Sequence, residues 1–308
     1  MELYIEKAFL DNFYKAYNEE NLSKGQQALY TILKDYNNID WFFNYKIANP
    51  QEYESLKAEN PFFGFRSLYS FPNEIDSIKT HFFEQSNCKQ TLIFTNDEET
   101  WFDAAENKGA LCFSFAQYEN KIETIINICQ FKIDLSENFQ GWSALSNLSK
   151  LPINQLVIND NYILTDKSNQ KIANNLVPIL KEILNKRLNI KVKLEIFTKT
   201  NEKEAQIRKN DLSNYFKEFN LDISLIQNDL TSNVNFHDRL IYTNFLIIDS
   251  ASGFNLIPHK TSNSQLIVEN IFDKYSYKRR NKHVEMLEAY FAKISNPAIF
   301  DTMSFKFI

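Results

Sequence analysis

Two rhythms run along this chain: short apolar runs, and longer segments in which apolar positions recur every three or four residues. The first is the rhythm of strands and the second that of amphipathic helices. Leu3 to Ile5 predicts a strand, and Lys7 to Tyr17 carries helical spacing. Ser23 to Tyr36 predicts a further helix, with Ser23 placed to cap it. Asp40 to Tyr45 reads as a strand. Asn49 to Arg66 reads as irregular chain holding Pro50, Pro61 and Gly64, and Asn73 to Phe83 as a helix capped by Asn73. Gln90 to Phe94 and Ala110 to Phe115 are strands. Between them a helix from Glu98 to Asn107 is stopped by Gly109. This β-α-β-α order implies a mostly parallel sheet covered by helices.

Residues 131–152 read as a connector, with Gly141, Pro152 and a polar Ser/Asn-rich stretch. The alternation then restarts. Gln155 to Ile158 and Tyr162 to Leu164 are strand material around the turn Asn159-Asp160-Asn161, and Asn169 to Asn185 is a helix. Lys191 to Thr198 alternates with period two, Glu202 to Phe219 is a charged helix, and Leu221 to Ile226 is a strand. Asn235 to Tyr242 and Phe245 to Asp249 predict a hairpin around Thr243-Asn244. Gln265 to Asn270 begins a last element before a terminal helix from Arg280 to Ser295. The expected class is α/β: two mixed or mostly parallel sheets flanked by helices. The expected domains are 1–130 and 153–308, joined by the connector.

Composition narrows the function. With 44% hydrophobic and 24% charged residues, the 308-residue chain is that of a globular protein, long enough for one large domain or two ordinary ones. Five glycines are too few for glycine-rich phosphate loops. A net charge of −5 confines any nucleic-acid contact to a local patch. Cys88, Cys112 and Cys129 are odd in number and widely spaced, which fits no zinc site and suits a reducing, cytoplasmic compartment. There is no signal-peptide pattern and no run of about 18 apolar residues, so no membrane span is expected. The many Asn, Lys and Ile residues point to an AT-rich bacterial genome. Serine-hydrolase, P-loop and dinucleotide-binding motifs are absent.

The densest chemistry lies in Val234 to Asn255, where His237-Asp238-Arg239 is followed four residues on by Asn244 and then by Ser252-Gly253-Phe254-Asn255. On a strand, His237 and Arg239 would leave the same face, and a histidine beside a fixed cation suits an oxyanion. This pattern resembles the phospholipase D signature, His-x-Lys-x4-Asp followed by Gly-Ser-x-Asn, over roughly residues 150–300. Arg239 stands at the lysine position and Asn244 at the aspartate position. The resemblance implies a phospholipase D-like second domain. In it His237 would be nucleophile or proton shuttle, and Arg239 and Asn244 would bind phosphate oxygens. No cofactor is implied. Such enzymes need two motifs, so one copy implies a homodimer. The His-Asp-Arg form also resembles the phospholipase D-like module at the C-terminus of microtubule-interacting-and-trafficking proteins, a binding domain. The three residues would then be a structural hydrogen-bond cluster.

A second constellation runs from a hydrophobic strand into Thr95-Asn96-Asp97. Open α/β sheets place their sites at the C-terminal ends of parallel strands. The element resembles the late Thr-x-Asp of PIN-type ribonucleases, and Leu3-Tyr4-Ile5-Glu6 resembles their opening. The resemblance covers residues 1–120. It implies that Glu6 and Asp97 help hold Mg²⁺ or Mn²⁺, with Glu74 the nearest match to the middle acid. Asp97, Glu98 and Glu99 equally suit the start of a helix.

A third feature gathers Lys274, Lys278, Arg279, Arg280 and Lys282 around Tyr275 and Tyr277. Basic side chains interleaved with aromatics can follow a nucleic-acid backbone and stack bases. They also suit a solvated helix start or an acidic protein partner. The leading expectation is a nuclease or nucleic-acid-binding relative, in a bacterial defence or mobile-element system. The other is a non-catalytic module that binds a protein partner from the same operon.

Overall fold

The computed structural model describes residues 1–65, 73–88, 90–135, 139, 141–164, 170, 172–184, 190–199, 202–227, 239–251, 253–254 and 264–294. The chain is α/β and divides into two compact units. One holds residues 1–127 with 272–274; the other holds 128–271 and the chain from 275.

The first unit is built on β1 (Glu2–Ile5), β2 (Asp40–Phe43), β3 (Asn73–Glu74), β4 (Thr91–Thr95) and β5 (Ala110–Ser114), in the order β3-β2-β1-β4-β5. Every pairing in this sheet is parallel. β1, β4 and β5 are buried along their whole length, as expected of a parallel sheet covered on both faces. The helices are α1 (Lys7–Ala16), α2 (Lys24–Asp35), α3 (Pro50–Glu59), α4 (Ile78–Gln85), α5 (Phe102–Asn107) and α6 (Tyr118–Ile128). Ser23 caps α2 as expected, in a reciprocal box with Gln26. Gly25 lets α2 approach α6 closely: a Cβ there would stand 2.6 Å from the Glu119 carbonyl oxygen.

Three expectations fail here for local reasons. The stretch expected as irregular contains α3. Pro50 sits at its first turn and Asn49 accepts the Glu52 N–H, so Asn-Pro starts a helix instead of breaking one. Asn73 does not cap a helix. It begins β3, and Ser77 caps α4 by accepting the Thr80 N–H. Residues 118–128, given no element from sequence, form α6.

The second unit carries β6 (Phe131–Asp134), β7 (Gln155–Asn159), β8 (Val192–Thr198), β9 (Leu221–Gln227), β10 (Leu240–Thr243), β11 (Leu246–Ser250) and β12 (Gln265–Asn270), in the order β6-β12-β11-β10-β7-β8-β9. β7, β8 and β9 are parallel, and the other pairings are antiparallel. A short π-helical turn leads into α7 (Val177–Leu184). α8 (Glu202–Tyr215) and α9 (Lys274–Ile294) complete the described helices. The expected connector belongs to this unit. β6 pairs with β12, and a 3-10 helix over Trp142–Lys150 buries Trp142, Leu145 and Leu148. Those apolar residues recur at three-residue spacing within a polar stretch, which disguised them. Tyr162 to Leu164, expected as strand, form a turn.

Candidate functional site

In the first unit the chain leaves β1 toward β2 on one side of the sheet and β4 toward β5 on the other. Between those two strand ends an open α/β sheet leaves a crevice. Glu6 directly follows β1, and Asn96 and Asp97 directly follow β4. The Asn96 backbone N–H donates to Glu6 Oε2 at 2.6 Å, fastening one strand end to the other. The Asn96 side chain is a hub. Its amide donates to Asp97 Oδ2 at 3.3 Å, and its Oδ1 accepts from Asn12 of α1 at 2.7 Å. Thr95 donates its hydroxyl to the Asp97 carbonyl at 2.6 Å.

The Glu6 carboxyl is held above its ordinary range. Partial burial is the largest cause, the Asn96 N–H opposes it, and the charges of Glu99 and Asp97 push further upward. Asp97 is exposed at the mouth. Glu99 accepts from the Trp101 indole and Glu98 from the Gln117 amide, so both also serve the turn leading to α5. The structure thus brings Glu6 and Asp97 together. It leaves Glu74 apart, exposed on the edge strand β3 and accepting the Ile47 N–H. Asn12 and the hub role of Asn96 were missed from sequence. Asn96 lies inside the Thr-Asn-Asp element, but no pattern marks Asn12.

A Mg²⁺ or Mn²⁺ ion, implied by the resemblance, asks for hard oxygen donors. Glu6 and Asp97 supply carboxylates of that kind. Among the described residues no three acidic, histidine or cysteine side chains converge closely enough to hold an ion. Glu6 and Asp97 are thus two carboxylates only, and water and substrate phosphate would have to supply every other ligand of such an ion.

In the second unit the resemblance residues separate. His237, Ser252 and Asn255 lie outside the described residues, so the expected pairing of His237 with Arg239 is not on view. Arg239 precedes β10 and sits beside Asp160, which follows β7, because Leu240 and Asn159 are register partners on antiparallel strands. Its guanidinium lies 5.5 Å from the Tyr162 ring centre. Asp160 is buried and accepts backbone N–H groups from Tyr162 at 2.8 Å and Phe254 at 3.4 Å. Burial raises its pKa against those bonds and the nearby Arg239 charge.

Asn244 is at the other end of β10. It is fully buried, its Oδ1 accepts the Asn154 and Gln155 N–H groups at 3.1 Å, and its amide donates to Asn154 Oδ1 at 2.6 Å. Four strand residues separate it from Arg239, about 16 Å of chain. The expected shared phosphate contact of Arg239 and Asn244 is therefore corrected: Asn244 staples the β10–β11 turn to the start of β7.

The basic stretch divides as well. It lies within α9, which begins six residues before the expected helix. Arg280 is buried and donates through Nε and Nη2 to the Thr243 carbonyl at 3.0 and 2.8 Å; burial pushes its pKa down to about 10. Arg279 pairs with Asp249 and Glu269, and Lys274 with Asp35. Arg280 is thus corrected from a phosphate ligand to an internal anchor. Lys278 and Lys282 are exposed one helical turn apart. No helix among the described residues is long and apolar enough to cross a membrane. No family model matches this chain, and no curated protein sequence does either.

Proposed function

We propose that this chain is a phosphodiester-handling protein of nuclease type, with its reacting site in the Glu6–Asn96–Asp97 crevice of the first unit. The observation that carries the reading is the 2.6 Å bond from the Asn96 N–H to Glu6, which fixes a carboxylate at the point where an open parallel sheet receives ligands. A bound divalent cation would polarise a phosphoryl oxygen and activate water. Glu6 would hold one side of that ion and Asp97 the other. Asn96 holds both carboxylates, Glu6 through its backbone N–H and Asp97 through its side-chain amide, and Asn12 fixes which way that amide faces.

The test is cleavage of single- and double-stranded RNA and DNA with Mg²⁺ or Mn²⁺. Expected are activity abolished by EDTA and losses of about 100-fold or more in Glu6→Gln and Asp97→Asn, the scale of removing a principal catalytic group. Activity that survives both substitutions sinks the assignment to this crevice.

One observation favours a second reading for the second unit. Asn244 and Arg280 are engaged internally, which leaves Arg239, Lys278 and Lys282, among the described residues that the sequence singled out there, for polar contact with a partner. On that reading the second unit binds an acidic partner and does no chemistry.

A further inference from the structure

We propose that the edge of the second sheet where Arg239 meets Tyr162 is a docking surface for a protein partner, with the Arg239 guanidinium seating one of that partner's carboxylate side chains and Lys199 beside it. The inference rests on the second reading above, an acidic partner for the second unit, and gives that partner a place. Topology gathers the residues. β7 and β8 run parallel, and β10 runs against β7. The ends of β7 and β8 and the start of β10 therefore share one edge. Asp160 and Tyr162 follow β7, Lys199 follows β8 and Arg239 precedes β10. The Lys199 N–H donates to the Asn161 carbonyl at 3.3 Å, which sets the lysine one residue away from Tyr162.

Arg239 is held there by shape. Its guanidinium lies over the Tyr162 ring, which is 49% exposed, and its side chain runs against Gly253, where no Cβ intervenes. The nearby Asp160 spends its two oxygens on backbone N–H groups, Oδ1 on Tyr162 and Oδ2 on Phe254. Among the described residues the Arg239 guanidinium forms no hydrogen bond or ion pair, and neither does the ammonium of the exposed Lys199. A guanidinium placed by an aromatic face, with its fork of N–H donors unspent, matches a planar carboxylate bidentately. A nucleic-acid backbone calls for a row of cations. Among the described residues this edge offers Arg239 and Lys199, with the acidic Asp160 beside them, which favours a carboxylate on a protein.

Fluorescence anisotropy of a labelled hexaglutamate peptide with the full chain tests this. Arg239→Lys keeps the charge but loses the fork, and should bind about 10-fold more weakly, the scale of one charge-assisted hydrogen bond. Lys199→Glu, an exposed change that the fold tolerates, should bind about 3-fold more weakly, the scale of a surface ion pair. Lys278→Glu with Lys282→Glu, on α9, should bind like the parent. Parent-like binding by Arg239→Lys or by Lys199→Glu overturns the inference. If the α9 pair alone weakens binding, the inference falls while the acidic-partner reading stands. If the parent does not bind the peptide at all, both fall. A single-stranded oligonucleotide that displaces the peptide from the parent, and whose own binding Arg239→Lys abolishes, would make the seat a phosphate site and overturns the inference as well.

Discussion

Arg239 lies directly against Gly253: a Cβ built on the glycine would stand 2.8 Å from both Cδ and Nη1 of the arginine, and 3.2 Å from Asp160 Oδ2. Gly253 also has φ of +85°, a region that side chains with a Cβ rarely adopt. The two pieces of the sequence pattern, the arginine and the small-residue turn, thus meet through a missing methyl group. Gly253→Ala should cost about 1–2 kcal/mol through the backbone alone. The far end of a flexible arginine can yield, so the clash should displace the guanidinium from Tyr162. Thermal melting and the Arg239 Nε–H resonance report the two effects. An unmoved resonance in a destabilised variant would show that the guanidinium does not depend on the glycine.

Asn244 invites a substitution that sequence and structure judge oppositely. By pattern, Asn244→Asp restores the aspartate of the phospholipase D signature. By geometry it removes the donor to Asn154 Oδ1 and sets a carboxylate against that oxygen at 2.6 Å, in a fully buried turn. The expected outcome is a loss of about 1–3 kcal/mol in urea unfolding, the cost of an unmatched buried polar group, with no gain of phosphodiesterase activity. A variant as stable as the parent would mean that the turn tolerates the charge.

These residues show how far the sequence could be read. Most strands of both sheets were legible because apolar runs such as Leu92-Ile93-Phe94 allow few other fates, the short β3 and the edge strand β6 excepted, and Ser23 announced its helix as an N-cap. The nearness of Glu6 and Asp97 was legible because strand order decides which loop ends meet, and a β-α-β alternation constrains that order. Asn244 was not, because a strand has two ends and spacing along it does not say which of them faces a ligand. Arg280 was not, because within a run of cations nothing local marks the one that a helix turns inward. That depends on Thr243, 37 residues away, offering its carbonyl. Asn12 was invisible for the same reason: its partner is 84 residues distant.

The basic stretch of α9 yields a separation of roles. Arg280→Ala should leave the Thr243 carbonyl without its charged donor and cost about 1.5–3 kcal/mol. Lys278→Glu with Lys282→Glu should leave stability within about 0.5 kcal/mol, as exposed substitutions do. If the helix meets nucleic acid, the double reversal should weaken binding and flatten its salt dependence by about two phosphate contacts. Fluorescence anisotropy of a labelled oligonucleotide across a salt series, beside urea unfolding, measures both. Equal binding by the double reversal and the parent would remove α9 from any nucleic-acid surface.

Asp160 gives a pH dependence whose sign follows from its burial. Its folded pKa is raised above the ordinary aspartate value of 3.8, chiefly by desolvation. Below 3.8 the carboxyl is protonated in both folded and unfolded chains, so it imposes no penalty there. As pH rises from 3.8 through the folded pKa, the unfolded chain releases its proton while the folded chain still holds one, and stability falls. Above the folded pKa the full penalty remains. Asp160→Asn keeps an acceptor for the Tyr162 N–H but cannot ionise, so its stability relative to the parent should improve as pH rises through that window and then level off. Paired urea titrations of the two proteins from pH 3 to pH 8 would show it. A relative stability that instead declines with pH would mean that the Arg239 charge outweighs burial and that Asp160 is stabilised as a carboxylate.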